Sequence, residues 1–170
     1  MDSFSKRFKF SDWPNPDLPQ VAAGVYSIWR DQDLIYCGMS GRNIDSSSTD
    51  ARSRAGLITR LQSHASGRLS GDQFCVYVAN RLVIPSITPE QLPLFASGEL
   101  RLDHLTKDYI HKYLEYQYVI VDTGTEAFAL EDECRRGDVF GMKPLLNPAH
   151  SASVRRLRGH HRKRNQKKTP

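Results

Sequence analysis

Apolar residues recur with two different periods along this chain, and together the two periods predict a mixed fold. Runs rich in β-branched and aromatic residues predict short strands at 24–30, 34–38, 74–78 and 117–122, with 82–84 extending or pairing with the third. Apolar residues at helical spacing predict helices at 55–66, 88–96, 103–115 and 123–136. The pattern contains no internal repeat. The expected class is therefore α/β in the broad sense (α+β), with a small, mainly antiparallel sheet flanked by helices.

The first two strand-like runs predict a β-hairpin, because only residues 31–33 separate them. A three-residue loop pairs Ile28 with Tyr36 and Tyr26 with Gly38. Because side chains alternate along a strand, this register puts both tyrosines on one face, whereas a two-residue loop would put them on opposite faces. We favour the longer loop, since aspartate tolerates the left-handed backbone conformation that such a loop needs.

The predicted helices have recognisable ends. The helix at 55–66 stops at Gly67, and its Arg60 and His64 stand four residues apart, which puts them on one helix face. Capping boxes at 88–91 and 123–126 begin two later helices, the second of which stops at a glycine, Gly137. The helix at 103–115 is expected to bury Leu105, Tyr109, Ile110, Tyr113 and Leu114. A polar, serine-rich loop is expected at 40–54 and a rigid closing loop at 143–148.

Charge is concentrated at the end of the chain. The 170 residues contain 24 Lys and Arg against 19 Asp and Glu, a net charge of +5. Residues 151–170 hold eight basic residues and no acidic one, which leaves 16 basic against 19 acidic residues, a net charge of −3, in residues 1–150. We divide the chain into an irregular lead-in at 1–20, a domain at 21–150 and a flexible basic tail at 151–170. Such a tail binds polyanions or is simply a solvated terminus, and charge alone leaves both open.

Composition argues against several other classes of protein. No apolar stretch approaches the roughly 20 residues of a membrane-spanning helix, and the first residues lack the apolar segment of a signal peptide. Cys37, Cys75 and Cys134 are odd in number and far apart, which disfavours a disulfide framework or a zinc site. We therefore expect a cytoplasmic protein with no membrane partner.

Six residues are candidates for catalysis: Tyr26, Tyr36, Arg60, His64, Glu131 and Asn147. Each has an ordinary structural explanation when it is taken alone. The two tyrosines are common strand residues, and the arginine and histidine fit a solvated helix face. Glu131 precedes Arg135 by four residues, the favourable order for a helical ion pair. Asn147 before Pro148 is a typical turn sequence.

Considered together, these residues stand in a characteristic order. Along the chain come Gly24-Val-Tyr26, Tyr36-Cys-Gly38, Arg60 with His64, Glu131, and Pro144-Leu-Leu-Asn147. This ordered set, each member in the expected secondary-structure setting, resembles the GIY-YIG nuclease superfamily. The resemblance covers about 24–148. It implies a small sheet flanked by helices and divalent-metal-dependent cleavage of DNA phosphodiesters.

The resemblance also implies a role for each residue. Glu131 would be the sole protein ligand of Mg²⁺ (or Mn²⁺), an ion that keeps several waters and takes one or two carboxylates. Arg60 would hold the scissile phosphate with its planar fork of donors. Tyr26 would activate or position the attacking water, and Tyr36 would bind phosphate or a water of the metal beside it. Asn147 would orient the phosphate or the tyrosine.

His64 is assigned a separate role, because a tyrosine with a pKa near 10 is a poor base at pH 7 unless another group takes its proton. Some family members carry a lysine just after the second tyrosine motif, but residues 39–42 of this chain contain none. Others carry an Arg-x-x-x-His pair, which Arg60 and His64 match. The hypothesis is that His64 accepts the proton from Tyr26 or from the attacking water.

The expected partner is DNA, single- or double-stranded, and the reaction is expected to leave a 5′-phosphate and a 3′-hydroxyl. The residues assigned to nucleic-acid binding are Arg42, Arg155, Arg156, Arg158, Arg162, Lys163, Arg164, Lys167 and Lys168. We expect an α/β insertion at about 68–115, with one strand and two helices. Three functions stay open for it: choice of the target, binding of a partner, or stabilisation of the core alone. The alternatives are a non-catalytic nucleic-acid-binding module of the same fold and a nuclease acting on RNA or branched DNA. The sequence does not determine an oligomeric state.

Overall fold

A computed structural model describes residues 3–44 and 56–148, and in these ranges the strands form one four-stranded sheet. The strands are β1 (Phe8–Lys9), β2 (Ala23–Arg30), β3 (Asp33–Ser40) and β4 (Glu115–Val121). Their order is β1-β4-β2-β3, and every neighbouring pair is antiparallel. The predicted combination of a mainly antiparallel sheet with helices is confirmed.

The α-helices of the same ranges are α1 (Leu57–Ala65), α2 (Gln73–Val78), α3 (Leu92–Ser97), α4 (Leu102–Tyr113) and α5 (Gly124–Arg136). A π-helical segment (Ala79–Val83) and 3₁₀ turns at Ile84–Ser86 and Pro89–Gln91 connect α2 to α3, and a further 3₁₀ turn (Phe10–Asp12) follows β1. As predicted, α1 and α5 are followed by glycines with positive φ, Gly67 at +68° and Gly137 at +94°.

Each face of the sheet packs against helices. Alternate residues of β2 point to opposite faces, so Tyr26 and Ile28 lie in one apolar cluster and Val25 lies in a second. The first cluster also contains buried residues of α1, α2 and α4, among them Leu57, Leu61, Phe74, Val78 and Ile110. The second contains Ala127 and Cys134 of α5. The two tyrosine-bearing strands are therefore fixed from both sides.

The hairpin loop is shorter than predicted, yet the predicted alignment of the tyrosines is correct. Arg30 pairs with Asp33, so the loop has two residues, and Asp31 adopts the left-handed conformation at φ +53°. Tyr26 still pairs with Gly38 and Ile28 with Tyr36, because the register shifts between Ile28 and Trp29 and leaves an extra residue on β3. This bulge returns Tyr36 to the face that Tyr26 occupies.

The predicted strand at 74–78 is wrong, since these residues form α2. Phe74, Cys75 and Val78 are buried at the helical spacing i, i+1 and i+4. The side chain of Asp72 caps the helix by accepting hydrogen bonds from the amides of Phe74 and Cys75, and this cap selects the helix over the strand. The segment 82–84 is not a strand either, and before β4 begins at Glu115 the described residues of the insertion at 68–115 form helices and turns but no strand.

Three smaller differences separate the prediction from the structure. Tyr113, expected on the buried side of α4, is 47% exposed, because α4 ends there and its buried residues are Thr106 and Ile110. The lead-in is not wholly irregular, since β1 pairs with β4 and Phe10 is fully buried. Of the predicted loop at 40–54, Ser40 belongs to β3, and residues 45–54 lie outside the described ranges.

Among the described residues, no helix has the length and apolar character needed to cross a membrane.

Candidate active site

A polar pocket of about 480 Å³ opens beside the paired tyrosine strands. Five of the six predicted catalytic residues line it: Tyr26, Tyr36, Arg60, His64 and Glu131. They come from β2, β3, α1 and α5, so residues up to 105 positions apart in sequence meet in one cavity. Asn147 is not among the residues that line it.

Inside the pocket, Tyr26 contacts His64. The hydroxyl oxygen of Tyr26 lies 2.8 Å from Nε2 of His64, and both side chains are buried. Arg60 and His64 are one turn apart on α1, as the spacing predicts, but they differ in environment. His64 is 2% exposed within the core, whereas Arg60 is exposed at the rim of the pocket.

The other ring nitrogen of His64 contacts a carboxylate that the sequence reasoning missed. Nδ1 of His64 lies 2.7 Å from Oδ2 of Asp72, and the carboxylate is 2% exposed. The same oxygen accepts a 2.5 Å hydrogen bond from Ser63, and Oδ1 accepts the amides of Phe74 and Cys75. The available signal was an aspartate two residues before a short apolar run, a typical helix cap. Assigning that run to a strand removed the signal.

Glycine at position 38 allows the tyrosines to pack as they do. A Cβ on Gly38 would overlap the hydroxyl and Cζ of Tyr26 and would come within 3.1 Å of the Tyr36 ring. The two rings are stacked, with centroids 6.4 Å apart. The second glycine of the sequence pattern is therefore explained by the close approach of the Tyr26 side chain to bare backbone.

Asn147 lies beside β3, the tyrosine-bearing strand at the edge of the sheet. Its side-chain amide donates to the carbonyl of Cys37 at 2.8 Å, and its Oδ1 accepts the Cys37 amide at 2.8 Å. This pair of bonds satisfies the backbone of an edge strand. Neighbouring backbone bonds from Leu145 and Leu146 reach the carbonyls of Leu34 and Ile35. Asn147 thus fixes the strand that carries Tyr36.

Basic and amide side chains extend the pocket at its mouth. Arg42 and Asn43, which follow β3, and Gln73 at the start of α2 are exposed there. The guanidinium of Arg42 lies 5.6 Å from the ring centroid of Phe128, which is 52% exposed. The other residues assigned to nucleic-acid binding, Arg155, Arg156, Arg158, Arg162, Lys163, Arg164, Lys167 and Lys168, lie outside the described residues.

Burial keeps both tyrosines neutral. It raises the pKa of Tyr26 well above its ordinary value of 10, and the neighbouring Tyr36 adds to the effect while Arg60 opposes it. Burial and the negative charge of Glu131 raise the pKa of Tyr36 to about 12. Both phenols are therefore neutral near pH 7.

Burial has the opposite consequence for His64, because the imidazolium is the charged form. It lowers the pKa of His64 below its ordinary value of 6.5, although the hydrogen bond and charge of Asp72 partly oppose it. Burial alone would raise the pKa of Asp72, but the hydrogen bonds from His64, Ser63 and the Cys75 amide outweigh it and hold that pKa at about 2. At neutral pH the site therefore contains a neutral imidazole beside a carboxylate.

Glu131 is the candidate metal ligand. Its side chain lines the pocket at 15% exposure, and its Oε1 lies 3.8 Å from the guanidinium of Arg135, the ion pair that the spacing suggests. The other carboxylate of the lining, Asp72, is already occupied by four donors. Within 3–44 and 56–148, no cluster of three or more His, Cys, Asp or Glu side chains is suited to hold a metal. A single carboxylate in a polar cavity suits an ion that retains its waters, such as Mg²⁺, and not zinc.

Comparisons with known proteins found no match to this chain, whether among family models, curated proteins or solved structures.

Proposed function

We propose that this chain is a divalent-metal-dependent endonuclease that hydrolyses DNA phosphodiester bonds, and that it belongs to the GIY-YIG nuclease superfamily. One observation carries the proposal: five residues chosen from their order in the sequence line one pocket. Their chemistry is complementary, with a carboxylate, an exposed guanidinium and a tyrosine bonded to a neutral histidine. An ordinary packing arrangement would not require these five residues to converge on one cavity.

Glu131 would hold Mg²⁺ or Mn²⁺, and the remaining ligands would be water and phosphate oxygen. When bound, such an ion would supply positive charge that polarises the phosphodiester and stabilises the negative charge that develops during hydrolysis. Arg135 lies 3.8 Å from the carboxylate and limits the orientations that Glu131 adopts. Arg135 would therefore help to orient the metal ligand Glu131.

Arg60 binds the scissile phosphate in this proposal. Its guanidinium is exposed at the rim, where an incoming backbone phosphate arrives without crossing the apolar core. The planar fork of donors matches two phosphate oxygens, and the positive charge opposes the charge that grows there in the transition state. Arg42, which also lines the pocket and is exposed, is suited to an adjacent phosphate.

Tyr26 and His64 prepare the attacking water. Because its pKa is raised, Tyr26 keeps its proton until it can hand that proton to another base. Nε2 of His64 lies 2.8 Å away, within reach of a direct transfer. Tyr36, with a pKa of about 12, stays a hydroxyl that donates a hydrogen bond to a phosphate oxygen or to water. Hydrolysis by in-line attack would leave a 5′-phosphate and a 3′-hydroxyl. The cytoplasm is the proposed compartment for this activity.

The test is cleavage of single-stranded and duplex DNA, with Mg²⁺ or Mn²⁺ and with chelator, by the wild type, Glu131→Ala and Glu133→Ala. Glu133 is on the same helix and does not line the pocket, so its removal matches the change in charge without touching the site. We expect metal-dependent cleavage by the wild type and Glu133→Ala, and a rate at least about 100-fold lower for Glu131→Ala.

Two outcomes would contradict the proposal. Cleavage that persists in chelator, or that survives in Glu131→Ala, would remove the metal from the mechanism. Retained binding with no cleavage of either DNA would favour the non-catalytic nucleic-acid-binding module. Parallel RNA and branched-DNA substrates identify a nuclease with another target.

A further inference from the structure

We propose that Asp72 is a positioning residue for His64 and completes a Tyr26–His64–Asp72 proton relay, an inference that rests on the proposed endonuclease. The three side chains form a linear series of contacts, 2.8 Å from the Tyr26 hydroxyl to Nε2 and 2.7 Å from Nδ1 to the carboxylate. All three are at most 2% exposed and also line the pocket, so the bonds are largely shielded from bulk solvent.

The chemistry of the partners fixes the tautomer of the imidazole. An ionised carboxylate accepts hydrogen bonds and donates none, so Nδ1 of His64 must carry the proton that faces Asp72. Nε2 of a neutral imidazole then has a lone pair, and the Tyr26 hydroxyl donates to it. The base therefore points its acceptor nitrogen at the tyrosine before any substrate arrives.

Asp72 is itself held rigidly enough to orient another residue. Ser63 donates to the oxygen that His64 uses, and the amides of Phe74 and Cys75 occupy the other oxygen. These bonds tie the carboxylate to α1 on one side and to the first turn of α2 on the other. Rotation of the carboxylate would break several hydrogen bonds in a buried setting, which costs far more than it would in water.

The relay moves one proton at each step. Water gives a proton to the Tyr26 hydroxyl oxygen as the tyrosine gives its own proton to Nε2 of His64. The resulting hydroxide bonds to phosphorus, the bond from phosphorus to the 3′-oxygen breaks, and that oxygen takes a proton from solvent. His64 becomes an imidazolium whose positive charge lies beside the Asp72 carboxylate, and it then returns its proton to solvent.

The other groups near His64 do not favour its protonation. The positive charge of Arg60 disfavours the imidazolium, and the hydroxyls of Tyr26 and Tyr36 are neutral near pH 7. The thiol of Cys75 donates to the backbone carbonyl of His64 and not to the ring. Asp72 is thus the group in contact with the ring whose charge favours proton uptake.

This inference gives the insertion at 68–115 a catalytic function. Asp72 caps α2, the first helix of the insertion, so the helix orients the relay whether or not the rest of the insertion contacts DNA. The alternative, a purely stabilising insertion, predicts no effect of Asp72 on the protonation of His64.

The experiment compares the wild type with Asp72→Asn in the full chain. Asparagine still caps α2 through its side-chain oxygen, but its amide would donate toward Nδ1 and force the proton onto Nε2. Long-range ¹H–¹⁵N correlation spectra at pH 7–8, without metal or DNA, report the tautomer, and His64→Ala assigns the signal. We expect Nδ1–H in the wild type and Nε2–H in Asp72→Asn. An Nε2–H wild type, or the same tautomer in both, would overturn the proposal.

Kinetics with the cleaved DNA separate positioning from a structural effect. For Asp72→Asn we expect kcat to fall at least about 100-fold with KM changed less than about threefold. The acid limb of the pH profile should move to lower pH, because removing the carboxylate lowers the pKa of His64 further. Val78→Ala, a buried substitution on α2 outside the pocket, should weaken folding and leave the tautomer and the profile unchanged.

The remaining outcomes are also decisive. An unchanged kcat or an unmoved acid limb in Asp72→Asn would refute the relay. If Val78→Ala reproduced the loss, the effect would be structural and the positioning role would be wrong. If the wild type cuts no DNA while the tautomer changes as expected, the endonuclease proposal fails and the control of His64 by Asp72 stands.

Discussion

The side chain of Tyr26 lies across Gly38, so that a Cβ at position 38 would overlap the tyrosine hydroxyl. The two residues are directly paired on neighbouring strands, and both belong to the sequence pattern that suggested a nuclease. The glycine is needed because the tyrosine must cross it to reach His64. The Tyr26–His64 bond and the glycine are therefore one structural requirement.

Replacing Gly38 with alanine should displace Tyr26 from His64. We expect a cleavage rate at least about 100-fold lower, the usual contribution of acid–base chemistry, and a loss of about 1–3 kcal/mol in the free energy of unfolding, typical of overpacking. Rates and urea titrations measure both. Cys37→Ala is the matched control, since Cys37 is adjacent, buried and in the opposite cluster, and it should reduce stability but keep the rate. A Gly38→Ala variant with wild-type activity would contradict the assignment of Tyr26.

The low pKa of His64 makes stability depend on pH. The unfolded chain takes up a proton on His64 below pH 6.5 and the folded chain does not, so the free energy of unfolding falls as pH drops below 6.5. One proton gives a slope of at most about 1.4 kcal/mol per pH unit. The stability that Asp72 contributes is complete above its ordinary pKa of 3.8 and is lost as pH falls toward about 2.

Urea unfolding at several values between pH 5 and pH 8 checks this prediction. His64→Gln should reduce the slope below pH 6.5, because it removes the titrating group. His104→Gln, at an exposed position of α4, should leave the slope unchanged. Equal slopes in the wild type and His64→Gln would show that another group controls the acid response.

The sequence predicts the parts of the site that depend on local order. Arg60 and His64 share a helix face by spacing alone, and the capping box and closing glycine define the helix that carries Glu131. Thr123 accepts the amide of Glu126 at 3.2 Å, and the Glu126 carboxylate accepts the amide of Asp122. These signals involve neighbouring residues, so one chain is enough to identify them.

The missed features depend on contacts between distant segments. The length of the hairpin loop does not predict the extra residue of β3. That residue depends on packing against distant segments, since it allows Ile35 and Tyr36 to lie in the same apolar cluster. The run at 74–78 is β-rich in composition, and the bonds of Asp72 to His64 and to two amides make it helical. Asn147 is predicted to orient the phosphate or the tyrosine, and the contact that the structure shows is with the backbone of Cys37, 110 residues earlier and next to Tyr36.

The basic tail should dominate non-specific DNA affinity, because residues 1–150 carry a net charge of −3. Deleting 151–170 should weaken binding and reduce the slope of log K against log salt concentration by up to about 7 for duplex DNA, the release expected from eight cations. Fluorescence anisotropy at several KCl concentrations measures this slope. A tail of equal length with its eight Lys and Arg changed to Gln separates charge from length and should behave like the deletion. Unchanged affinity and slope in both variants would assign DNA binding to the domain.

Asn147 should stabilise the tyrosine-bearing strand β3 through the backbone of Cys37 and not take part in the chemistry directly. Asn147→Asp keeps the shape and one acceptor but faces the Cys37 carbonyl with a carboxylate oxygen, so both a hydrogen bond and a favourable charge arrangement are lost. We expect Asn147→Asp and Asn147→Ala to lower the free energy of unfolding by about 1–3 kcal/mol, the cost of leaving buried or half-buried backbone groups unpaired.

Hydrogen exchange and kinetics then distinguish a structural role of Asn147 from a catalytic one. Loss of the Asn147 bonds should speed exchange of the Cys37 amide, while Asn80→Ala, at an exposed position of the insertion, should change neither exchange nor stability. If Asn147 acts through the strand, the cleavage rate should fall together with stability and should recover with a stabilising osmolyte, since an osmolyte favours the folded strand. A rate loss that persists in fully folded Asn147→Ala, with unchanged protection of the Cys37 amide, would assign Asn147 a direct part in the reaction instead.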